Sequence, residues 1–146
     1  MRAYVVLALL AVVSAVGFAP APLPRRERFR EDPRAIFGKW EFEAWEMRGQ
    51  KSGFSQYLEF TESETHFISL QGGGKVTYQL VIKPELSPKG FQWIIGGGGG
   101  GGGWIGSYRV EGDRLTLIFH SGSSWKDRPV DFNATHEYRF ILRKKR

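Results

Sequence analysis

The chain contains no cysteine, which removes disulfides, thiolate metal sites, a cysteine nucleophile and a lipid-modified N-terminal cysteine from consideration. Its three histidines, His66, His120 and His136, stand at no metal-ligand spacing, and no His-Glu-x-x-His pattern occurs. They read as structural histidines, and neither a metal nor a cofactor is expected. Hydrolase and phosphate-loop signals are missing too. The stretch His120-Ser121-Gly122-Ser123-Ser124 lacks the Gly-x-Ser-x-Gly order that a nucleophile elbow requires between a strand and a helix. After Gly73-Gly74-Lys75, Val76 stands where a phosphate loop needs a metal-binding hydroxyl. No acid/base pair can be named among the carboxylates, since Glu41, Glu43, Glu59 and Glu62 fall on outward faces, where they are ordinarily solvated. The reading is of a protein that is not an enzyme.

Long apolar runs are also scarce. The one present, Ala3 to Phe18, follows Arg2 and leads into Ala19-Pro20-Ala21-Pro22-Leu23-Pro24, which is the order of an export signal. Residues 1–21 are therefore expected to be a signal peptide or an uncleaved signal anchor, since the run sits near the lower limit for spanning a bilayer. Residues 22–31 are expected to form a Pro/Arg-rich spacer, because alternating prolines cannot continue a helix. Export is expected, to a periplasmic, extracellular or membrane-anchored location, with membrane contact only through this N-terminal segment. The formal net charge is +6, but the basic residues gather at the two ends of the folded region and its middle is nearly balanced. No nucleic-acid partner is expected, because that would need basic residues and stacking aromatics on one face.

What the chain does hold is aromatic: five Trp, five Tyr and eleven Phe, side chains that each bury a large apolar area. From Gly38 onward, short segments with period-two alternation are separated by Gly, Pro, Ser, Asp and Lys clusters, the pattern of antiparallel strands. Eight segments are read. The inward stripes are Trp40, Phe42 and Ala44; Leu58 and Phe60; Ile68 and Leu70; Val76, Tyr78, Leu80 and Ile82; Phe91, Trp93 and Ile95; Trp104, Tyr108 and Val110; Leu115, Leu117 and Phe119; and Tyr138, Phe140 and Leu142. Glu111-Gly112-Asp113 and Gly72-Gly73-Gly74 mark hairpins, so neighbouring strands should pair in order. The expected fold over residues 32–146 is an all-β, about eight-stranded antiparallel up-and-down barrel, favoured over a sandwich because closure removes exposed edges. A short N-terminal helix is expected around Asp32 to Phe37, with Asp32 as cap and Pro33 at the first helical position. The glycine run 96–103 reads as a flexible connector, since it matches any glycine-rich motif trivially and no helix follows it.

Three ordered motifs carry a likeness: Phe37-Gly38-Lys39-Trp40; Gly106-Ser107-Tyr108 leading to Gly112-Asp113; and Arg128-Pro129-Val130-Asp131-Phe132. With the Ala-Pro leader, their order and spacing resemble an uncharacterised, lipocalin-like planctomycete secreted domain family, from which the chain departs chiefly in its glycine insert. The resemblance implies a fold and a compartment, and no established activity. It makes Gly106, Tyr108, Gly112, Asp113, Arg128, Pro129, Asp131 and Phe132 family-motif positions. Gly38 and Trp40 also resemble the Gly-x-Trp opening of true lipocalins, in which an arginine from the last strand covers the tryptophan. That implies Arg139 or Arg143 as the barrel-closing partner, although strand parity places both opposite Tyr138, Phe140 and Leu142. The alternative is that Trp40 is simply core and both arginines are solvated.

The function that fold analogy suggests is binding of a small apolar or amphipathic ligand at the barrel mouth. Trp93, Trp104 and Tyr108 are the candidate mouth residues, beside the glycine run. The alternative is a non-catalytic structural or interaction protein of the cell envelope with an envelope partner. Trp40, Phe42, Phe60, Tyr78, Trp93, Tyr108, Phe119, Tyr138 and Phe140, all on the predicted inner face, imply an interior mostly filled by side chains, with at most a shallow pocket.

Overall fold

The computed structural model describes residues 32–52, 56–69, 72–96 and 102–146. Residues 1–31, in which an export signal and spacer are expected, Leu70 and the centre of the glycine run lie outside the described residues. Among the described residues, nine strands form one antiparallel sheet: β1 (Gly38–Met47), β2 (Gln50–Ser52), β3 (Gln56–Phe60), β4 (Glu64–Ser69), β5 (Lys75–Lys83), β6 (Lys89–Ile94), β7 (Gly103–Glu111), β8 (Arg114–Ser121) and β9 (Tyr138–Lys144). Each strand from β3 onward pairs with the next, and β1 pairs with both β3 and β9. The sheet thus closes on itself as an eight-stranded barrel, with β2 an extra strand that pairs only with β1. Closure leaves the eight ring strands without an open edge.

The period-two stripes become the barrel interior. Tyr78, Leu80 and Ile82 of β5, Leu115, Leu117 and Phe119 of β8, and Tyr138, Phe140 and Leu142 of β9 all belong to one core with Trp40, Phe60, Phe91 and Trp93. Two stripes require correction. A bulge between Phe42 and Ala44 shifts the register of β1 against β9. An extra residue reverses side-chain parity beyond it, so Trp45 joins the core and Ala44, paired with Ile141, points outward. In β4 the inward residues are Thr65 and Phe67; Ile68 lies opposite the outward Tyr57. Ile68 and Leu70 are the apolar pair expected inside, yet the residues opposite Leu58 and Phe60 are Phe67 and Thr65, and pairing partners must share a face.

Sequence reading also missed the β1–β2 hairpin. Met47 pairs with Gln50 across Arg48 and Gly49, at φ 49° and 82°, the left-handed pair that a type I′ turn demands. In place of the short helix expected around Asp32 to Phe37 there is a single 3₁₀ turn, Pro33–Ile36, capped by the Asp32 carboxylate, which accepts from the Arg34 amide at 2.9 Å. That turn buries Ile36 completely and plugs the end of the barrel where β1 starts.

Candidate functional site

The two ends of the barrel differ. At the base, Trp40 is fully buried and its indole N–H donates to the Ile36 carbonyl at 2.7 Å. The cation over its ring is Lys144, whose ammonium lies 5.0 Å from the ring centroid and donates to the Ala35 and Phe37 carbonyls at 3.4 and 3.1 Å. Arg139 and Arg143, the expected partners, lie on the outer face. Arg143 pairs with Glu43 at 2.7 Å, and Arg139 donates to the Phe132 and Ala134 carbonyls and meets Glu46 at 3.4 Å. Parity explains the substitution: Tyr138, Phe140, Leu142 and Lys144 share the inner face, and Trp40 is the register partner of Lys144. Gly38 opens β1 at φ +113°, and the Lys144 side chain passes 3.6 Å from where a Cβ would stand. A side chain there would be strained by the positive φ, although it would meet the lysine only at ordinary contact distance.

At the opposite end a cleft of about 140 Å³ opens between aromatic rings. Its floor is Trp93, Phe119 and Phe140, each less than a tenth exposed. Half-buried Trp45, Phe67, Tyr78, Trp104 and Tyr138 form the walls. Adjacent walls meet at steep angles: Phe67 to Tyr78 at 5.2 Å and 89°, and Tyr78 to Trp104 at 5.3 Å and 79°. The Trp93 N–H donates to the buried Thr65 hydroxyl at 2.9 Å, which satisfies the one polar atom of that ring and leaves an apolar surface. Above the walls, Met47, Val76 and Ile95 are 44%, 50% and 47% exposed, and each follows the inner-face parity of its strand. These three apolar side chains share the rim with the polar Gln56, Ser69 and Ser121, which follow the same parity in their strands.

Of the three candidate mouth residues, Trp93 and Trp104 face each other across β6 and β7 and line this cleft. Tyr108 does not. It lies four positions further along β7, about 13 Å away along the strand, is buried in the basal half of the core, and borders a separate cleft with Pro88, Lys89 and Phe132. The glycine run enters here: β6 and β7 remain paired through Ile94 and Gly103, and the Ile95 N–H donates to the Gly102 carbonyl at 3.3 Å. A further cleft of about 190 Å³ lies beside the aromatic one, bordered by Phe42 and Gln56 and sharing Trp45, Phe67 and Phe140 with it.

The remaining motif positions fasten a strap. Residues 122–137 cross the outside of β7 and β8, where Ile105, Ser107 and Ile118 are fully buried although they face away from the interior. The Ser107 hydroxyl donates to the Pro129 carbonyl at 2.6 Å. Arg128 ties the Trp125 carbonyl to that of Pro88, and Phe132 lies under the Arg109 guanidinium at 4.7 Å. Asp131 accepts from the Asn133 amide through its side chain, and its carbonyl bonds His136. Gly106 is required by space: a Cβ there would stand 2.2 Å from the Ile118 carbonyl oxygen and 2.6 Å from Phe119 Cβ. Gly112 and Asp113 form the β7–β8 turn, and the Asp113 carbonyl accepts from the Lys144 amide at 2.7 Å. The unbroken apolar run Leu117-Ile118-Phe119 was the available signal that this strand is covered on both faces.

His120 latches the strap to β8. Its two ring nitrogens lie 2.8 Å from the Ser121 and Asp127 carbonyl oxygens, and a carbonyl only accepts, so both bonds require the doubly protonated ring. Burial opposes that charge, but the two carbonyls and the nearby Glu137 and Asp127 carboxylates outweigh it and raise the pKa above the ordinary 6.5. His66 meets the Thr77 hydroxyl at 3.0 Å on the outer face. No family model, no curated protein and no solved structure matches this chain.

Proposed function

We propose that this chain is an exported, lipocalin-like binding protein that takes a small apolar or amphipathic ligand into the aromatic mouth of its barrel. The observation that carries the reading is the contrast between the ends: one is plugged and hydrogen-bonded, while the other leaves five large aromatic side chains half-buried around a concavity, with Met47, Val76 and Ile95 exposed above it. Small pockets with apolar walls and few polar groups are the common form of ligand site, and an eight-stranded barrel has room for one small ligand. No catalytic role is assigned to any residue. The export signal read in residues 1–21 and the likeness to secreted, lipocalin-like domains support a role outside the cytoplasm.

The test is a titration of intrinsic tryptophan fluorescence with a panel of aromatic alcohols and of medium- and long-chain fatty acids. Trp45, Trp93 and Trp104 all line the cleft, so occupancy should change emission in a saturable, one-to-one manner. Absence of any response across the panel would overturn the binding reading and favour an envelope-interaction role.

A further inference from the structure

We infer that the mouth is built for a compact, single-ring aromatic ligand and against a long acyl chain; the inference rests on the binding reading above and narrows it. Size comes first. The cleft holds about 140 Å³, and apolar cavities of about 150 Å³ lined by aliphatic and aromatic side chains stay dry and take up a single benzene ring. An extended acyl chain is longer than a single ring and exceeds that space.

Depth is closed off as well. Trp93 occupies the barrel interior below the cleft at 1% exposure, packed against Phe91 at 4.8 Å, Phe119 at 5.1 Å and Phe67 at 5.2 Å. Its N–H is held by Thr65, so the ring is tethered by a buried hydrogen bond as well as by packing. A chain entering the mouth therefore meets a floor, unlike a ligand in a hollow barrel. Laterally, Trp45, Phe67 and Phe140 border both the cleft and its neighbour, and they are the partition that a guest longer than one ring would have to pass to occupy both.

Shape points the same way. The walls meet edge-to-face, with Trp45 against Phe140 at 87° joining the Phe67–Tyr78 and Tyr78–Trp104 pairs. Aromatic rings prefer edge-to-face or offset partners, each such pair adding to simple burial. A planar guest in this cup meets ring faces and ring edges at once, whereas a flexible chain gains only contact area and loses rotamer freedom.

Calorimetric titration of the whole protein with p-cresol and with decanoate, below its micellar concentration, decides the matter. We expect p-cresol to bind one-to-one and decanoate to bind roughly tenfold more weakly or worse, the discrimination a shaped apolar pocket achieves against a misfitting guest. In Trp45→Ala the partition is breached, and decanoate should gain on p-cresol by roughly tenfold. Decanoate binding as tightly as p-cresol to the unaltered protein would overturn the inference while leaving the binding reading intact. An unchanged ratio in a folded Trp45→Ala protein would overturn the role of the partition. Failure of both ligands, together with silence across the fluorescence panel, would overturn the binding reading and this inference with it. The comparison on the unaltered protein stands even if Trp45→Ala does not fold.

Discussion

The base and the mouth are built from the same eight strands and the same period-two rule, yet they solve opposite problems. At the base the central side chains are covered: Ile36 plugs the end, Trp40 is fully buried and bonded through its N–H, and Lys144 spans its ring and two carbonyls. At the mouth, Trp104, Tyr78 and Tyr138 keep part of their rings in water, and Met47, Val76 and Ile95 crown them. Leaving apolar area wet forgoes about 25 cal/mol of stabilisation per Å². The difference teaches that stability is concentrated at the end that starts and finishes the chain's barrel, while the other end keeps aromatic surface available.

The largest expected effect tests the base. Trp40→Ala should cost about 3–5 kcal/mol, the range for emptying a buried aromatic site, and chemical denaturation should show a large fall in midpoint. A loss below about 1 kcal/mol would mean that the base collapses around the gap and is not the stability centre described here. The matching change at the mouth is Trp104→Ala. Because that ring is only half-buried, the expected cost is about 1–2 kcal/mol, below the fully buried range, with ligand affinity falling more than stability. Equal destabilisation by the two substitutions would erase the contrast between the ends.

Smaller effects sharpen it. Lys144→Met keeps an aliphatic chain over Trp40 but removes the cation and both carbonyl bonds, and should lower stability by about 1 kcal/mol, a loss that salt diminishes. Arg139→Met or Arg143→Met should leave the Trp40 emission spectrum unchanged, whereas Lys144→Met should shift it. Shortening the glycine run 96–103 to about three residues should stabilise the fold by about 1 kcal/mol or less, since loop-closure entropy varies only slowly with length. Thermal melting checks this, and a marked loss would mean that the glycines hold conformations the mouth requires.

The smallest expected effect is the pH dependence of the strap. The folded pKa of His120 lies above its ordinary 6.5, so the protonated ring binds its partners more tightly folded than unfolded. Its contribution is fully present below pH 6.5 and is lost as pH rises through the higher folded value. Unfolding midpoints should therefore decline across that rise, and His120→Gln should flatten the decline. An identical slope in the variant would assign the effect to other groups.

Much of this architecture is written locally. Alternation in β5, β8 and β9 names their inner residues because side chains on a strand point to opposite faces with a period of two, whatever the strand pairs with. The aromatic filling, the sequential pairing and the place of Trp93 and Trp104 on one inner surface follow from those stripes and from the short connections. The rest depends on partners distant in the chain. A bulge between Phe42 and Ala44 has no signature of its own, and it takes pairing with β9 to put Trp45 inside in place of Ala44. Thr65 looks like an ordinary strand residue until Trp93, 28 positions away, needs an acceptor. Lys144 covers Trp40 because closure sets those two residues opposite each other, and a charge run at a chain end reads as solvated until that register is known. The strap buries the outer side of Ile105 and Ile118, a second covered face that alternation counts as solvent. Local geometry decides which way each side chain points, and only closure of the sheet decides what it meets.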